Sequence, residues 1–223
     1  MPSPTIVFDL DGTLIDTAPD LVDMLNVILG RHDVQPVAFA QARTMIGAGV
    51  RPLLERALST RGIALAPDAL DGLFAEYIEL YAAHIADRSR PFPGLESALD
   101  ALEAQGCRLA VCTNKLEWLS VRLLDALGMS RRFSAIVGQD TFGMKKPDPE
   151  ILRRTIERAG GNVARAVMIG DSMTDVTTAR NAGIPVIAVD FGYTEIPPAE
   201  FGADRLISHF DALPAAIAEL GLR

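Results

Sequence analysis

The chain has 223 residues, 49% hydrophobic and 22% charged, which fits one globular domain or a main domain with a smaller insert. This excludes a disordered, collagen-like or disulfide-rich chain, and the formal charge of −8 argues against nucleic-acid backbones or anionic membranes as partners. Cys107 and Cys112 form neither a CxxC pair nor a zinc spacing, no apolar run has the length of a membrane span, and the first residues carry no signal-peptide pattern, so the expected location is cytoplasmic.

Residues 5–10 (TIVFDL) are an apolar run ending in Asp-Gly, which reads as a buried strand. From about residue 16 to residue 90 the pattern is helical. Leu21, Leu25, Ile28 and Leu29 fall at helical spacing, as do Leu73, Phe74, Tyr77, Ile78 and Tyr81. Pro19 lies near the start of this stretch, and Pro91-Phe92-Pro93-Gly94 marks its end. The spacing predicts an all-α insert over 17–89, its two ends forming a hinge pair, with 1–16 and 90–223 as the core. Apolar runs return at 108–113, 135–138, 166–170 and 185–189, and more weakly at 205–208. Helical patterns lie between them at 94–105, 116–127, 149–159 and 175–182. Strands alternating with helices predict an α/β fold with a doubly wound, mostly parallel sheet covered on both faces.

Ligands in open α/β sheets bind beyond the carboxyl ends of the strands. The polar residues expected there are Asp9 and Asp11, Thr113 and Asn114, then Asp171, Ser172 and Asp175, with Lys145 and Lys146 in the loop after the third strand. Asp9 and Asp11, two residues apart at a strand end, can share one side. Close carboxylates repel unless a cation lies between them, and a hard divalent ion such as Mg²⁺ suits oxygen ligands.

Four ordered segments carry a resemblance. DLDGTL at 9–14, Thr113 with Asn114, Lys146 within KKPDP, and GDSMTD at 170–175 resemble, in sequence, the motifs of the haloacid dehalogenase superfamily of aspartate-nucleophile phosphatases. The resemblance implies a Rossmann-like core with an inserted helical cap. It implies Asp9 as nucleophile, forming an aspartyl-phosphate, and Asp11 as general acid and then base. It further implies Mg²⁺ held by Asp9, Asp171 and the Asp11 carbonyl. Thr113 and the Asn114 amide would hold phosphate oxygens, Lys146 would neutralise Asp9 and the phosphoryl group, and Asp175 would support the metal shell or orient Lys146. Within the superfamily, DLDGTLIDTAPDL at 9–21, IGAGVRPLLERAL at 46–58, TNK at 113–115, QDTFGMKKPDP at 139–149, GDSMTDVTTARNAG at 170–183 and FGYT at 191–194 are similar to bacterial phosphoglycolate phosphatases. Leu116 departs from the proline common in that group. The implied partner is a small phosphorylated metabolite, acted on by a monomer or homodimer.

In the insert, Gly47 and Gly49 precede Arg51 at an expected helix start, where a guanidinium suits a substrate carboxylate or second phosphate. Lys115 reaches either the site or the surface. His32, His84 and His209 are isolated and read as non-catalytic. A phosphosugar phosphatase, another small-metabolite phosphatase or a β-phosphoglucomutase-like mutase remains an alternative. A Schiff-base mechanism would need a lysine in the insert, and 17–89 contains none. A signalling receiver carries its acidic pair and its phospho-acceptor on separate strands, and a noncatalytic relative would not need every reactive group retained.

Overall fold

A computed structural model describes residues 3–222. The first strand, β1 (Thr5–Phe8), is buried along its length. It lies in a sheet of order β5-β4-β1-β6-β7-β8, formed with β4 (Arg108–Cys112), β5 (Ala135–Val137), β6 (Ala166–Gly170), β7 (Val186–Val189) and β8 (Arg205–Ile207). Every pairing in it is parallel. Alternation along β1 explains its unbroken apolar run. Ile6 and Phe8 pack into one core with Val111 and Ile169, while Val7 joins Ala110, Cys112 and Met168 in the core on the other face.

The strand order places the site. From β1 the chain builds outward through β4 and β5, then returns to the other side of β1 for β6, β7 and β8. Phe8 is in register with both Val111 and Ile169, so the carboxyl ends of three adjacent strands finish level. Asp9, Thr113 and Asp171 each follow directly on one of these ends. The helices α5 (Leu95–Ala104), α6 (Glu117–Ala126) and α9 (Leu213–Glu219) pack on the Ile6 face, and α7 (Pro149–Arg158) and α8 (Met173–Ala182) on the Val7 face.

Between β1 and α5 stand α1 (Ala18–Arg31), α2 (Phe39–Arg43), α3 (Val50–Ser59) and α4 (Pro67–Ala83). α4 packs against both α1 and α3. The chain leaves and re-enters the core through two short antiparallel strands, β2 (Ile15–Asp16) and β3 (Arg90–Pro91), with Ile15 opposite Pro91. Buried Asp20 on α1 accepts hydrogen bonds from the Arg88 and Ser89 amides and from the Ser89 hydroxyl, fastening the two crossings together. The predicted elements agree with these to within a few residues. The β2–β3 pair and α9 were not anticipated by the sequence pattern. Among the described residues no helix is long and apolar enough to cross a membrane.

Candidate active site

After Phe8 the chain turns sharply: the Leu14 and Ile15 amides both return to the Leu10 carbonyl at 3.0 Å. Gly12 sits at the bend with φ 84°, and a Cβ there would lie 2.4 Å from Asp171 Oδ2. Glycine therefore meets two demands at once, a left-handed backbone and close approach to a carboxylate. Gly192 makes a second close approach to Asp171, from the loop after β7.

Asp9, Asp171 and Asp175 are all buried, and one carboxylate oxygen from each falls within 4.8 Å of the others. Lys146 Nζ stands between two of them, 2.8 Å from Asp9 Oδ1 and 2.6 Å from Asp175 Oδ1. Asp175 is also held by the Ser172 hydroxyl at 2.6 Å, in the capping box that starts α8. Asp171 accepts the Tyr193 amide at 2.7 Å and faces the Thr13 hydroxyl at 3.4 Å.

Burial pushes the Asp9 carboxyl up to about 6, with Lys146 opposing and Asp175 adding to the shift. Burial, then the Asp175 and Asp9 charges, pushes Asp171 up to about 8. Lys146 moves above its ordinary range: burial disfavours its charge, but the Asp175 and Asp9 carboxylates more than offset that. The cluster thus has more buried carboxylate than Lys146 alone neutralises. A hard divalent cation fits this donor set of oxygens.

Asp11 lies apart from this cluster. Its carboxylate accepts Lys115 Nζ at 2.9 and 3.0 Å and the Thr17 hydroxyl at 2.8 Å. Lys115 is buried, so the surface alternative for it is excluded. Its ammonium sits 4.7 Å over the Tyr81 ring of α4.

Thr113 and Asn114 line a cavity with Asp9, Asp11 and Lys115, closed from the helical side by residues including Ile46, Gly49 and Phe74. The Asn114 side chain is committed to the protein: its Oδ1 accepts the Lys146 amide at 2.9 Å and its Nδ2 donates to Gly47 and Lys146 carbonyls at 3.3 Å. Arg51 is not brought to the cavity. It pairs with Asp71 at the surface, its guanidinium 5.3 Å over the Phe74 ring.

Two residues that the sequence reading did not single out join the site's support. Tyr193 donates its hydroxyl to Asp16 at 2.6 Å and accepts the Ala18 amide at 2.9 Å. Arg43 of α2 donates to the Phe191 and Gly192 carbonyls at 3.0 and 2.9 Å. The only sequence signal for either was FGYT at 191–194.

The family model described as haloacid dehalogenase-like hydrolase matches residues 6–189. The chain is 49% identical to a phosphoglycolate phosphatase of Mesorhizobium japonicum, across 100% of this chain and 98% of that protein. It is 47% identical to a phosphoglycolate phosphatase of Caulobacter vibrioides, across 97% of this chain and 91% of that one. A crystal structure of a predicted phosphoglycolate phosphatase from Haemophilus somnus 129pt superposes with a TM-score of 0.88 at 28% identity, covering 96% of this chain and 97% of its own. With the family model matching most of the sequence and relatives this similar along its whole length, the chain belongs to the haloacid dehalogenase-like hydrolases.

Proposed function

We propose that this chain is a Mg²⁺-dependent phosphatase that hydrolyses 2-phosphoglycolate to glycolate and phosphate through an aspartyl-phosphate. The observation that carries this reading is the pairing of Asp9 with Lys146 beside two further buried carboxylates, Asp9 itself lining a cavity walled on its other side by the helical insert. The relatives named for phosphoglycolate hydrolysis support the substrate.

In this reading an Asp9 carboxylate oxygen attacks phosphorus, and the bond to the ester oxygen breaks. Asp11 gives its proton to the departing glycolate oxygen. Asp11 then takes a proton from water, whose oxygen attacks the phosphorus of the aspartyl-phosphate and frees Asp9. Lys146 offsets charge on Asp9 and on the phosphoryl oxygens. The Thr113 hydroxyl and the Asn114 backbone amide hold those oxygens, and Asp175 orients Lys146. Asp9, Asp171 and the Asp11 carbonyl would hold the Mg²⁺, which supplies counter-charge to carboxylates and phosphoryl group alike. Phosphoryl transfer depends mainly on such positioning and charge compensation.

Residues 17–89 serve as a cap over the core formed by 1–16 and 90–223, excluding water and contributing the apolar wall of the cavity. The test is kcat/KM for phosphate release, with and without Mg²⁺, from 2-phosphoglycolate, β-glucose 1-phosphate, pyrophosphate, a nucleoside monophosphate and several sugar phosphates. The expected result is a Mg²⁺-dependent preference for 2-phosphoglycolate of about a hundredfold, roughly 2.7 kcal/mol in transition-state binding. A flat or sugar-favouring profile removes the named substrate and supports the phosphosugar or mutase alternative.

A further inference from the structure

We propose that Lys115 reads the carboxylate of the substrate, the role that the sequence pattern assigned to Arg51. The inference rests on the substrate reading above and deepens it.

Lys115 is the only cation among the described residues lining the cavity. The remaining walls are largely apolar, with Leu21, Ile46, Val50, Leu53, Phe74 and Ile78 facing the catalytic loops. A second anionic group on the substrate therefore meets one compensating charge there, and an uncompensated carboxylate in such a place is costly.

The position of the ammonium suits the task. Its Nζ contacts both oxygens of Asp11, at 2.9 and 3.0 Å, and Asp11 is the group assigned to protonate the leaving oxygen. In 2-phosphoglycolate a single methylene separates that oxygen from the carboxylate. A cation touching the acid is thus within reach of the carboxylate once the ester oxygen is seated against Asp11. An ammonium has three donors, so contact with Asp11 leaves capacity for a further acceptor.

The lysine is fixed in place. Its amide donates to Thr113 Oγ1 at 3.2 Å, and its carbonyl accepts the Gln139 amide at 3.1 Å. Gly138 packs so closely that a Cβ there would lie 2.6 Å from the Lys115 carbonyl oxygen. The Tyr81 ring lies 4.7 Å from the ammonium and holds it against the cavity wall. Arg51, in contrast, has its charge engaged by Asp71 on the exposed side of α3 and α4.

The test compares 2-phosphoglycolate with ethyl phosphate, which keeps the phosphoryl group and the carbon chain but lacks the carboxylate. Wild-type protein, Lys115→Met and Lys115→Gln are assayed with Mg²⁺, with circular dichroism to confirm folding and Lys115→Gln serving if the methionine variant does not fold. The expected result is a loss in kcat/KM about a hundredfold greater on 2-phosphoglycolate than on ethyl phosphate, any loss transmitted through Asp11 being common to both esters, so that the wild-type preference collapses. Equal losses on both esters would make Lys115 a positioning residue for Asp11 and overturn the proposal, as would no loss on either. Selective loss in Arg51→Met with unaltered selectivity in Lys115→Met would return the carboxylate to Arg51. A wild-type protein that does not prefer 2-phosphoglycolate would sink the substrate reading itself, independently of any variant, and the Lys115 assignment with it.

Discussion

At the scale of single residues the decisive feature is how Lys146 divides its charge between Asp9 and Asp175. Removing one partner of a buried ion pair leaves an uncompensated charge, and the usual cost is about 3–5 kcal/mol. Lys146→Met leaves two such carboxylates, so we expect a stability loss of that order in urea denaturation and a turnover loss greater than about a thousandfold. Asp9→Asn differs in kind: Lys146 keeps Asp175 as its partner, and a carboxylate that burial disfavours is removed. Turnover in Asp9→Asn should therefore vanish into the background while the melting temperature stays within a few degrees of wild type. Residual activity in a purified, folded Asp9→Asn protein would end the nucleophile assignment. Asp9 and Asp171, placed beyond strand ends by the apolar runs before them, directly follow β1 and β6, whereas Lys146 lies nine residues past β5 and Asp175 in the first turn of α8, so their meeting with Asp9 was legible only through the family resemblance. Arg51 shows where that reasoning runs out. It lies three and seven residues before Leu54 and Leu58, on the face of α3 that packs toward α4, so it meets Asp71 and Phe74. Its direction is set by how α3 is rotated on α4, which a local pattern of glycines and arginine does not encode.

At the scale of elements, the long periodic helices and the apolar strands were readable, whereas the pieces that join the two units were not. β2 and β3 have two residues each, too few for any periodicity, and their pairing exists only once the insert has folded. α9 starts at Leu213 with a proline in its first turn and buries only Leu213, Ala216 and Ile217, a short signal that tertiary packing completes. The same holds for the tie between α2 and the loop after β7. Arg43 donates to the carbonyls of Phe191 and Gly192, and the next amide, that of Tyr193, donates to Asp171. The helical insert is thereby linked to a carboxylate of the acidic cluster through one loop. Arg43→Met should cost about 1 kcal/mol in stability, the usual worth of such bonds. We expect a larger effect on function: kcat/KM lower by roughly tenfold and a higher Mg²⁺ concentration for half-maximal activity, because the loop no longer fixes Asp171. Metal titrations of activity check this, and an unaltered half-maximal concentration would mean that the loop holds Asp171 without help from α2.

At the scale of the whole molecule, the acidic cluster sets stability against charge. The carboxyls of Asp9 and Asp171 are held at about 6 and about 8, both above the ordinary carboxylate value, with burial as the main cause. The folded metal-free chain therefore binds more protons than the unfolded chain between about pH 4 and pH 8, and stability falls as pH rises through that window. The stabilising contribution of these two groups is complete below the unfolded carboxylate range and is lost as pH rises through the folded values. The metal-free protein should melt several degrees lower at pH 8 than at pH 6, a direction opposite to that of a protein held by salt-bridged acids with depressed pKa values. A divalent cation reverses the slope. It needs the carboxylates ionised, so it binds more tightly as pH rises and stabilises the fold through that binding. Melting curves in chelator and in excess Mg²⁺, at pH 6, 7 and 8, should consequently diverge with pH, the gap between them being widest at pH 8. Parallel curves would mean that Asp9 and Asp171 are already ionised in the metal-free fold, with Lys146 supplying enough positive charge for the whole cluster.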